Sequence, residues 1–165
     1  THVAAHQAWY AAVNALFGAL KRFKADYRVI PAVTFTHPEV ARVGLNQQEA
    51  AQQGIAYEVS RFELEELDRA ITADEREGFV EVLTVPGKDR ILGVTIVASH
   101  AGEMLAEFTL AMKHGLGLKK ILGTIHPYPT WSEAAKYVAG VWQKAHAPET
   151  ALRWSERYHR WLRGE

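Results

Sequence analysis

Two strand-like runs joined by a turn signal constrain the fold of this chain most strongly. Residues 78–85 and 90–98 are rich in β-branched and apolar residues, and Pro86-Gly87-Lys88-Asp89 separates them. Proline and glycine in so short a connection favour a β-hairpin, because they supply the backbone angles of tight turns. The second run is apolar almost throughout from Ile91 to Val97, which is typical of a central strand covered on both faces.

Further strand and helix patterns extend this hairpin into a sheet. Residues 28–45 are rich in strand-forming residues interrupted by His37-Pro38-Glu39, and residues 55–67 form another strand pattern that ends in charges, interpreted as a solvated edge. Asn46 and Glu49 predict a capping box at the start of a short helix. Other helices are predicted over 2–23 and 119–122, and two more begin at residues 101 and 131. The predicted fold class is α+β, an antiparallel β-sheet covered by helices.

The composition excludes several classes of function. The chain has 165 residues, 19 basic and 19 acidic residues, and no cysteine. Balanced charge does not indicate a nucleic-acid or membrane partner, and the lack of cysteine excludes disulfides, thiolate nucleophiles and cysteine-based zinc sites. His2 and His6 are spaced to share a metal but lack a third ligand, so no metal site is predicted. We expect a cytoplasmic protein with no nucleic-acid and no membrane partner.

A proline-rich segment, Ile125-His126-Pro127-Tyr128-Pro129-Thr130-Trp131-Ser132-Glu133-Ala134, is the main candidate for function. The two prolines restrict the backbone on both sides of Tyr128 and give its phenol a rigid mounting. Thr130 is predicted as a helix N-cap, with Glu133 completing a capping box. The pattern alone fits either a purely structural turn and cap or a segment that presents Tyr128 for chemistry.

The two ends of the chain have their own patterns. Trp9, Val13, Leu16 and Leu20 form an apolar stripe on the first helix, which therefore needs a partner surface and is expected to be the end of a preceding domain. Residues 148–165 combine aromatic residues with arginines at helical spacing. We predict an amphipathic extension packed on the body, in preference to contact with nucleic acid or lipid.

A series of short motifs, in the same order along the chain, resembles a known domain. They are Phe35-Thr36-His37-Pro38-Glu39-Val40-Ala41-Arg42-Val43-Gly44, Asp68-Arg69-Ala70, Gly78-Phe79, Arg90-Ile91-Leu92-Gly93, Ala101-Gly102-Glu103 and Pro129-Thr130-Trp131-Ser132-Glu133. Their order from Val29 to Ala145 resembles the C-terminal dimerisation domain of the pyridine nucleotide-disulfide oxidoreductases, the group of dihydrolipoamide dehydrogenase, glutathione reductase and mercuric reductase.

The resemblance implies an FAD-dependent NAD(P)H oxidoreductase that works as a twofold homodimer. It assigns residues 27–147 to the dimerisation domain and 1–26 to the last helix of an FAD-binding domain, with Thr1 and His2 near the flavin. FAD and NAD(P)H would be held by domains upstream of Thr1, so no tightly bound cofactor is expected on this chain alone. The proline-rich segment would reach the partner's active site, and this chain would not be catalytic by itself.

The resemblance also implies roles within the proline-rich segment. Tyr128 occupies the position of the family's acid/base histidine, directly before Pro-Thr and five residues before Glu133, whereas His126 lies two residues earlier. A phenol stays protonated at neutral pH, so Tyr128 is expected to donate a proton or hydrogen bond, with Glu133 and His126 supporting it, while its carbonyl contacts the partner's flavin. A tyrosine here resembles mercuric reductase. The alternative is a stand-alone association module without catalysis.

Overall fold

A computed structural model describes residues 1–164, apart from the side chains of Glu149, Ala151 and Leu152, so that residue 165 of the predicted extension lies outside the described residues. The strands are β1 (Pro31–Thr34), β2 (Glu39–Gly44), β3 (Glu58–Glu63), β4 (Phe79–Thr84) and β5 (Ile91–Ala98). The helices are α1 (His2–Phe17), α2 (Gln47–Gln52), α3 (Asp68–Ala73), α4 (Ala101–Lys113), α5 (Leu118–Leu122), α6 (Glu133–Ala145) and α7 (Glu149–Arg163), with a 3₁₀ turn at Leu64–Glu66.

The five strands form one antiparallel sheet in the order β1-β2-β5-β4-β3. The predicted hairpin is confirmed, with Val80 opposite Ile96 and a register shift near Leu83 and Thr84. β5 is the central strand, flanked by β2 and β4. The predicted α+β class with an antiparallel sheet is therefore confirmed.

Helices α4 and α6 form the core with this sheet. α4 packs on β2 and β5, α6 packs on β3 and β4, and α5 packs on α6. Leu105 and Phe108 of α4 and Val138 of α6 are almost fully buried. Each such side chain contributes roughly 1.5–3 kcal/mol through removal of its apolar surface from water. This core holds both ends of the proline-rich segment, which lies between α5 and α6.

The start of α2 matches the predicted capping box. The Asn46 side-chain oxygen accepts a hydrogen bond from the Glu49 amide at 2.8 Å, and the Asn46 amide donates to the Glu49 carboxylate at 3.1 Å. Arg42 of the neighbouring strand β2 also pairs with Glu49 at 2.6 Å. The local pattern therefore determines where this helix begins.

The charged run after β3 is not the solvated strand edge that the sequence suggested. β3 ends at Glu63, and the chain continues through the 3₁₀ turn into α3. Leu64 and Leu67 are both fully buried. Residues three apart share a face in a helix but lie on opposite faces of a strand, so burying both leucines requires helical geometry.

The terminal helices differ from their predicted form. α1 ends at Phe17 instead of residue 23, and the Asn14 side chain closes the following turn through two 2.8 Å hydrogen bonds to the main chain of Phe23. No α1 side chain is buried, and Leu16 is 75% exposed. Every described side chain of α7 is exposed, so the described part of this helix does not pack on the body as predicted. Within residues 1–164 no helix has the length and apolar character to cross a membrane.

Candidate functional site

The segment between α5 and α6 presents exposed side chains from a well-held loop. The Thr130 hydroxyl donates to the Pro127 carbonyl at 2.6 Å and lies 2.9 Å from the Ser132 hydroxyl. Ile125 is 97% exposed and Tyr128 is 68% exposed. The segment therefore projects an aliphatic and a phenolic side chain outward while short hydrogen bonds stabilise its backbone.

The predicted N-cap at Thr130 is wrong. Helix α6 begins at Glu133 with Ser132 in the cap position, and the Thr130 hydroxyl is engaged with Pro127 instead of a helix amide. One half of the expected capping box remains, because the Thr130 amide donates to the Glu133 carboxylate over a long 3.4 Å. Glu133 thus belongs to the helix start, although the threonine does not cap it.

Tyr128 is anchored by an acid from a distant part of the chain. Its phenol donates a hydrogen bond of 2.9 Å to Asp68 Oδ2, at the start of α3. This hydrogen bond, followed by the negative charge of Asp68, raises the pKa of the Tyr128 phenol above its ordinary value of 10.0. Tyr128 is therefore protonated at neutral pH, and its single O–H is directed at Asp68, which leaves its oxygen lone pairs for an outside group.

His126 is bonded on both ring nitrogens and points inward. Nδ1 lies 2.9 Å from the Thr124 carbonyl, and Nε2 lies 3.0 Å from Oε1 of Glu107 on α4. Its side chain is only 4% exposed. Both partners are acceptors, so a ring nitrogen that carries a hydrogen can donate to either of them. This geometry ties the loop to α4, so His126 holds the segment in place and does not face an outside group.

Glu133 is a buried carboxylate with a cationic partner. It is 2% exposed, and its Oε1 accepts a 3.0 Å hydrogen bond from Lys136 one turn along α6. Burying a carboxylate is costly unless it is paired, and Lys136 together with the Thr130 amide supplies that pairing. Glu133 has no hydrogen bond to Tyr128 or His126 among the described residues.

The structure therefore places the three predicted residues in one segment but gives each a separate partner. Those partners are Asp68, Glu107 and Lys136. Asp68 and Glu107 were missed as site residues by sequence reasoning. Asp68 lies 60 positions from Tyr128, and only the Asp68-Arg69-Ala70 motif drew attention to its neighbourhood. Glu107 lies in an ordinary helical pattern and has no local signal.

The two N-terminal candidates, Thr1 and His2, lie at a cavity that the proline-rich segment does not line. Both border a cavity of about 680 Å³ between α1, β1 and α4, and His2 Nε2 lies 2.9 Å from the Pro31 carbonyl. Most other side chains around this cavity are apolar, such as Val33 and Leu105. Thr1 precedes the first turn of α1, where unpaired amides create a partial positive charge.

An ion-pair cluster holds the linker between α1 and β1 against α4. Asp26 accepts a 2.7 Å bond from Arg28 and a 2.9 Å bond from Lys113. Arg28, followed by Lys113, holds the pKa of the Asp26 carboxyl far below its usual range, and Asp26 in turn raises the pKa of Arg28. The described residues contain no group of three or more histidine and acidic side chains suited to a metal ion.

Comparison with known proteins gives one family for most of the chain. Residues 30–139 match the model described as the pyridine nucleotide-disulphide oxidoreductase dimerisation domain. Mitochondrial dihydrolipoyl dehydrogenase from Caenorhabditis elegans is 46% identical over 109 residues, which is 66% of this chain and 22% of that enzyme. Dihydrolipoyl dehydrogenase from Chlamydia muridarum is 38% identical over 138 residues, 81% of this chain and 29% of that enzyme.

Solved structures give the same fold. LpdA from Mycobacterium tuberculosis superposes with a TM-score of 0.68 at 25% identity, covering 76% of this chain and 28% of LpdA. The HOCl-induced flavoprotein disulfide reductase RclA from Escherichia coli superposes with a TM-score of 0.71 at 22% identity, covering 79% of this chain and 30% of that chain, and so shows the shared fold. The chain spans about a quarter of the length of the curated relatives it matches, between 22% and 29%.

Proposed function

This chain belongs to the dimerisation-domain family of the pyridine nucleotide-disulphide oxidoreductases, and on that premise we propose that it pairs two subunits of an FAD-dependent NAD(P)H oxidoreductase and completes the partner's active site. The observation that carries the proposal is the exposed, hydrogen-bonded segment from Thr124 to Glu133, which projects Ile125 and Tyr128 outward. The domain has no catalytic activity alone in this proposal, because the flavin and the nucleotide belong to the rest of the enzyme.

The exposure of Ile125 supports a protein surface over this segment. A large aliphatic side chain that is 97% exposed at the end of a held loop gains roughly 1.5–3 kcal/mol when a second subunit covers it. Tyr128 lies three residues further on, so the surface that buries Ile125 also meets the phenol. A twofold arrangement brings each segment to the other subunit.

The residues present fit a contact with FAD at two places. No described residue donates a hydrogen bond to the Tyr128 main-chain carbonyl, so this acceptor is available to an N–H group of a flavin. The partial positive charge at the start of α1 suits an electron-rich part of the cofactor near Thr1 and His2. Bound FAD would carry electrons from NAD(P)H to the acceptor, and we assign no residue of this chain to NAD(P)H.

At the acceptor side we propose a mercuric-reductase-like role for Tyr128. Asp68 raises the pKa of the phenol further above its ordinary value of 10.0 and orients the O–H through the 2.9 Å hydrogen bond. Donation to an incoming acceptor then requires the O–H to leave Asp68, while acceptance through the oxygen lone pairs requires no rearrangement. Glu133 supports the segment through Lys136, and His126 supports it through Glu107. We also propose that the enzyme is cytoplasmic.

Light scattering over a dilution series tests the pairing. We expect a dimer of about 37 kDa, twice the 18.5 kDa chain, that persists at low micromolar concentration. Ile125→Asp should convert it to a monomer, because a charge cannot be buried unpaired in the interface. Leu20→Asp introduces the same charge at an exposed leucine in the linker after α1, far along the chain from the proline-rich segment, and this control should remain dimeric. A monomer at all concentrations would contradict the proposal.

Substitution of Tyr128 by histidine in the full-length enzyme tests the acceptor-side role. An imidazole exchanges protons at neutral pH whereas a phenol does not, so Tyr128→His should increase dithiol–disulfide turnover. Flavin content and dimer mass are measured alongside to exclude misfolding. No increase, with both unchanged, would count against Tyr128 facing the redox centre.

A stand-alone association module predicts dimers without any flavin-containing parent, and a dinucleotide fingerprint with a nearby cysteine pair in the upstream coding sequence would exclude it.

A further inference from the structure

Helix α7 has an aromatic face and an arginine-rich face that are both exposed. At about 100° per residue, one arc of the helix carries four large apolar or aromatic side chains and the neighbouring arc carries three arginines. The first set is Trp154, Tyr158, Trp161 and Leu162, and the second is Arg153, Arg157 and Arg160. Trp154 and Trp161 are 73% and 72% exposed. α7 also lies outside the segment matched by the family model, which ends at residue 139.

The charge of α7 differs from that of the whole chain. Residues 149–163 contain four arginines and two glutamates, a formal charge of +2, whereas the complete chain balances 19 basic against 19 acidic residues. The acidic residue Glu156 pairs with Arg160 at 2.6 Å on the polar side of the helix. The zero net charge of the whole chain, which argued against an acidic surface as partner, therefore conceals the positive charge of this one helix.

The arrangement of side chains on α7, with an aromatic arc beside an arginine arc, is typical of a helix that lies on a lipid surface. Tryptophan and tyrosine prefer the boundary between headgroups and acyl chains, where the ring is buried and the N–H or O–H stays hydrated. Arginine binds phosphate oxygens through paired N–H donors. A helix of 15 residues is about 22 Å long and lies flat on such a surface with its aromatic arc downward.

We propose that α7 binds the surface of an anionic phospholipid bilayer, with Trp154, Tyr158 and Trp161 inserted at the interface and the arginines on the lipid phosphates. This assignment replaces the expectation that the chain has no membrane partner. It is independent of the proposed dimer, because it rests on residues beyond the dimerisation fold. A dimer presents two such helices, so pairing strengthens binding without being required for it.

Vesicle co-sedimentation of the 165-residue chain tests the proposal. We expect binding to phosphatidylcholine vesicles that contain phosphatidylserine, with a blue shift of tryptophan emission, and at least tenfold weaker binding to pure phosphatidylcholine. Trp154→Gln/Trp161→Gln should abolish binding and the blue shift. Arg153→Gln/Arg157→Gln should weaken binding at least tenfold, whereas Arg22→Gln/Arg76→Gln, with the same change in charge at exposed sites elsewhere, should not.

Two outcomes would overturn the proposal. The first is no binding to the anionic vesicles, and the second is equal binding to both vesicle types. If the parent chain does not bind, a change of oligomeric state in Trp154→Gln/Trp161→Gln would assign the aromatic arc to a protein interface. These substitutions lie on exposed side chains, so far-UV circular dichroism and thermal unfolding should stay unchanged and verify that the fold is intact.

Discussion

At the scale of single residues, the proline-rich segment depends on acids from other elements. Asp68 orients the Tyr128 phenol, and Glu107 holds His126 against α4. Because Tyr128 is exposed and Asp68 directs its proton, the phenol is a preoriented polar group with an elevated pKa. Asp68 is therefore a positioning residue, and its effect on Tyr128 is measurable without any cofactor.

Asp68→Asn should lower the pKa of Tyr128 toward 10.0, because the carboxylate that stabilises the neutral phenol is gone. The folded-state pKa is raised in the parent, so the stability contributed by this pair is present below about pH 10 and lost as pH rises further. Tyrosinate absorbance titration of each protein, minus the same protein with Tyr128→Phe, isolates this one phenol. An unchanged Tyr128 midpoint in Asp68→Asn would refute the interaction.

At the scale of elements, the backbone that leads from β2 to α2 passes very close to the central strand β5. Gly93 of β5 lies opposite Gly44 of β2, and a side chain at Gly93 would collide with the Leu45 main chain. The Leu45 amide donates to the Leu92 carbonyl at 3.1 Å across this point. Because Gly93 has no Cβ, Leu45 can follow the end of β2 and still donate its hydrogen bond to β5.

Gly93→Ala should reduce the free energy of unfolding by about 1–3 kcal/mol, because the added methyl forces the Leu45 backbone away. Gly140→Ala on α6 is the matched control. Its Cβ meets only Leu122 at 3.9 Å, so it should stabilise the protein by about 0.5–1 kcal/mol through helix propensity. Urea unfolding of both variants gives the comparison, and equal effects of the two substitutions would contradict the close approach.

At the scale of the whole molecule, the buried core lies within residues 41–142. α1 buries no side chain, and the described side chains of α7 are exposed. The linker before β1 is held by the ion pair between Asp26 and Lys113 and by Val29, which packs against the edge of the core. We therefore expect the dimerisation domain to unfold as a cooperative unit whose stability is largely independent of both terminal helices.

A chain that ends at residue 147 should unfold with a free energy within about 0.5 kcal/mol of the parent, because removal of exposed side chains leaves the core unchanged. Urea denaturation followed by circular dichroism measures the difference. The same truncation should abolish binding to anionic vesicles while leaving dimer mass proportional to the shortened chain. A loss of stability above about 1 kcal/mol would show that the predicted boundary at residue 148 cuts a packed unit.

The sequence by itself determined the features that depend on neighbours along the chain. The hairpin from Gly78 to Ala98 and the capping box of Asn46 and Glu49 follow from turn and cap residues a few positions apart. The ordered motifs determined the family for the same reason, since each motif is local. Thr130 and Glu133 have the spacing of a capping box, but in the structure the Thr130 hydroxyl donates to the Pro127 carbonyl.

The tertiary structure alone decided how the candidate site is held and which surfaces stay open. Asp68 reaches Tyr128 across 60 positions and Glu107 reaches His126 across 19, and nothing in either local pattern specifies such a contact. Likewise, the periodicity of α1 and α7 predicts an apolar face but does not say what covers it. A side chain's partners depend on how the helices pack on the sheet, which is a property of the whole fold.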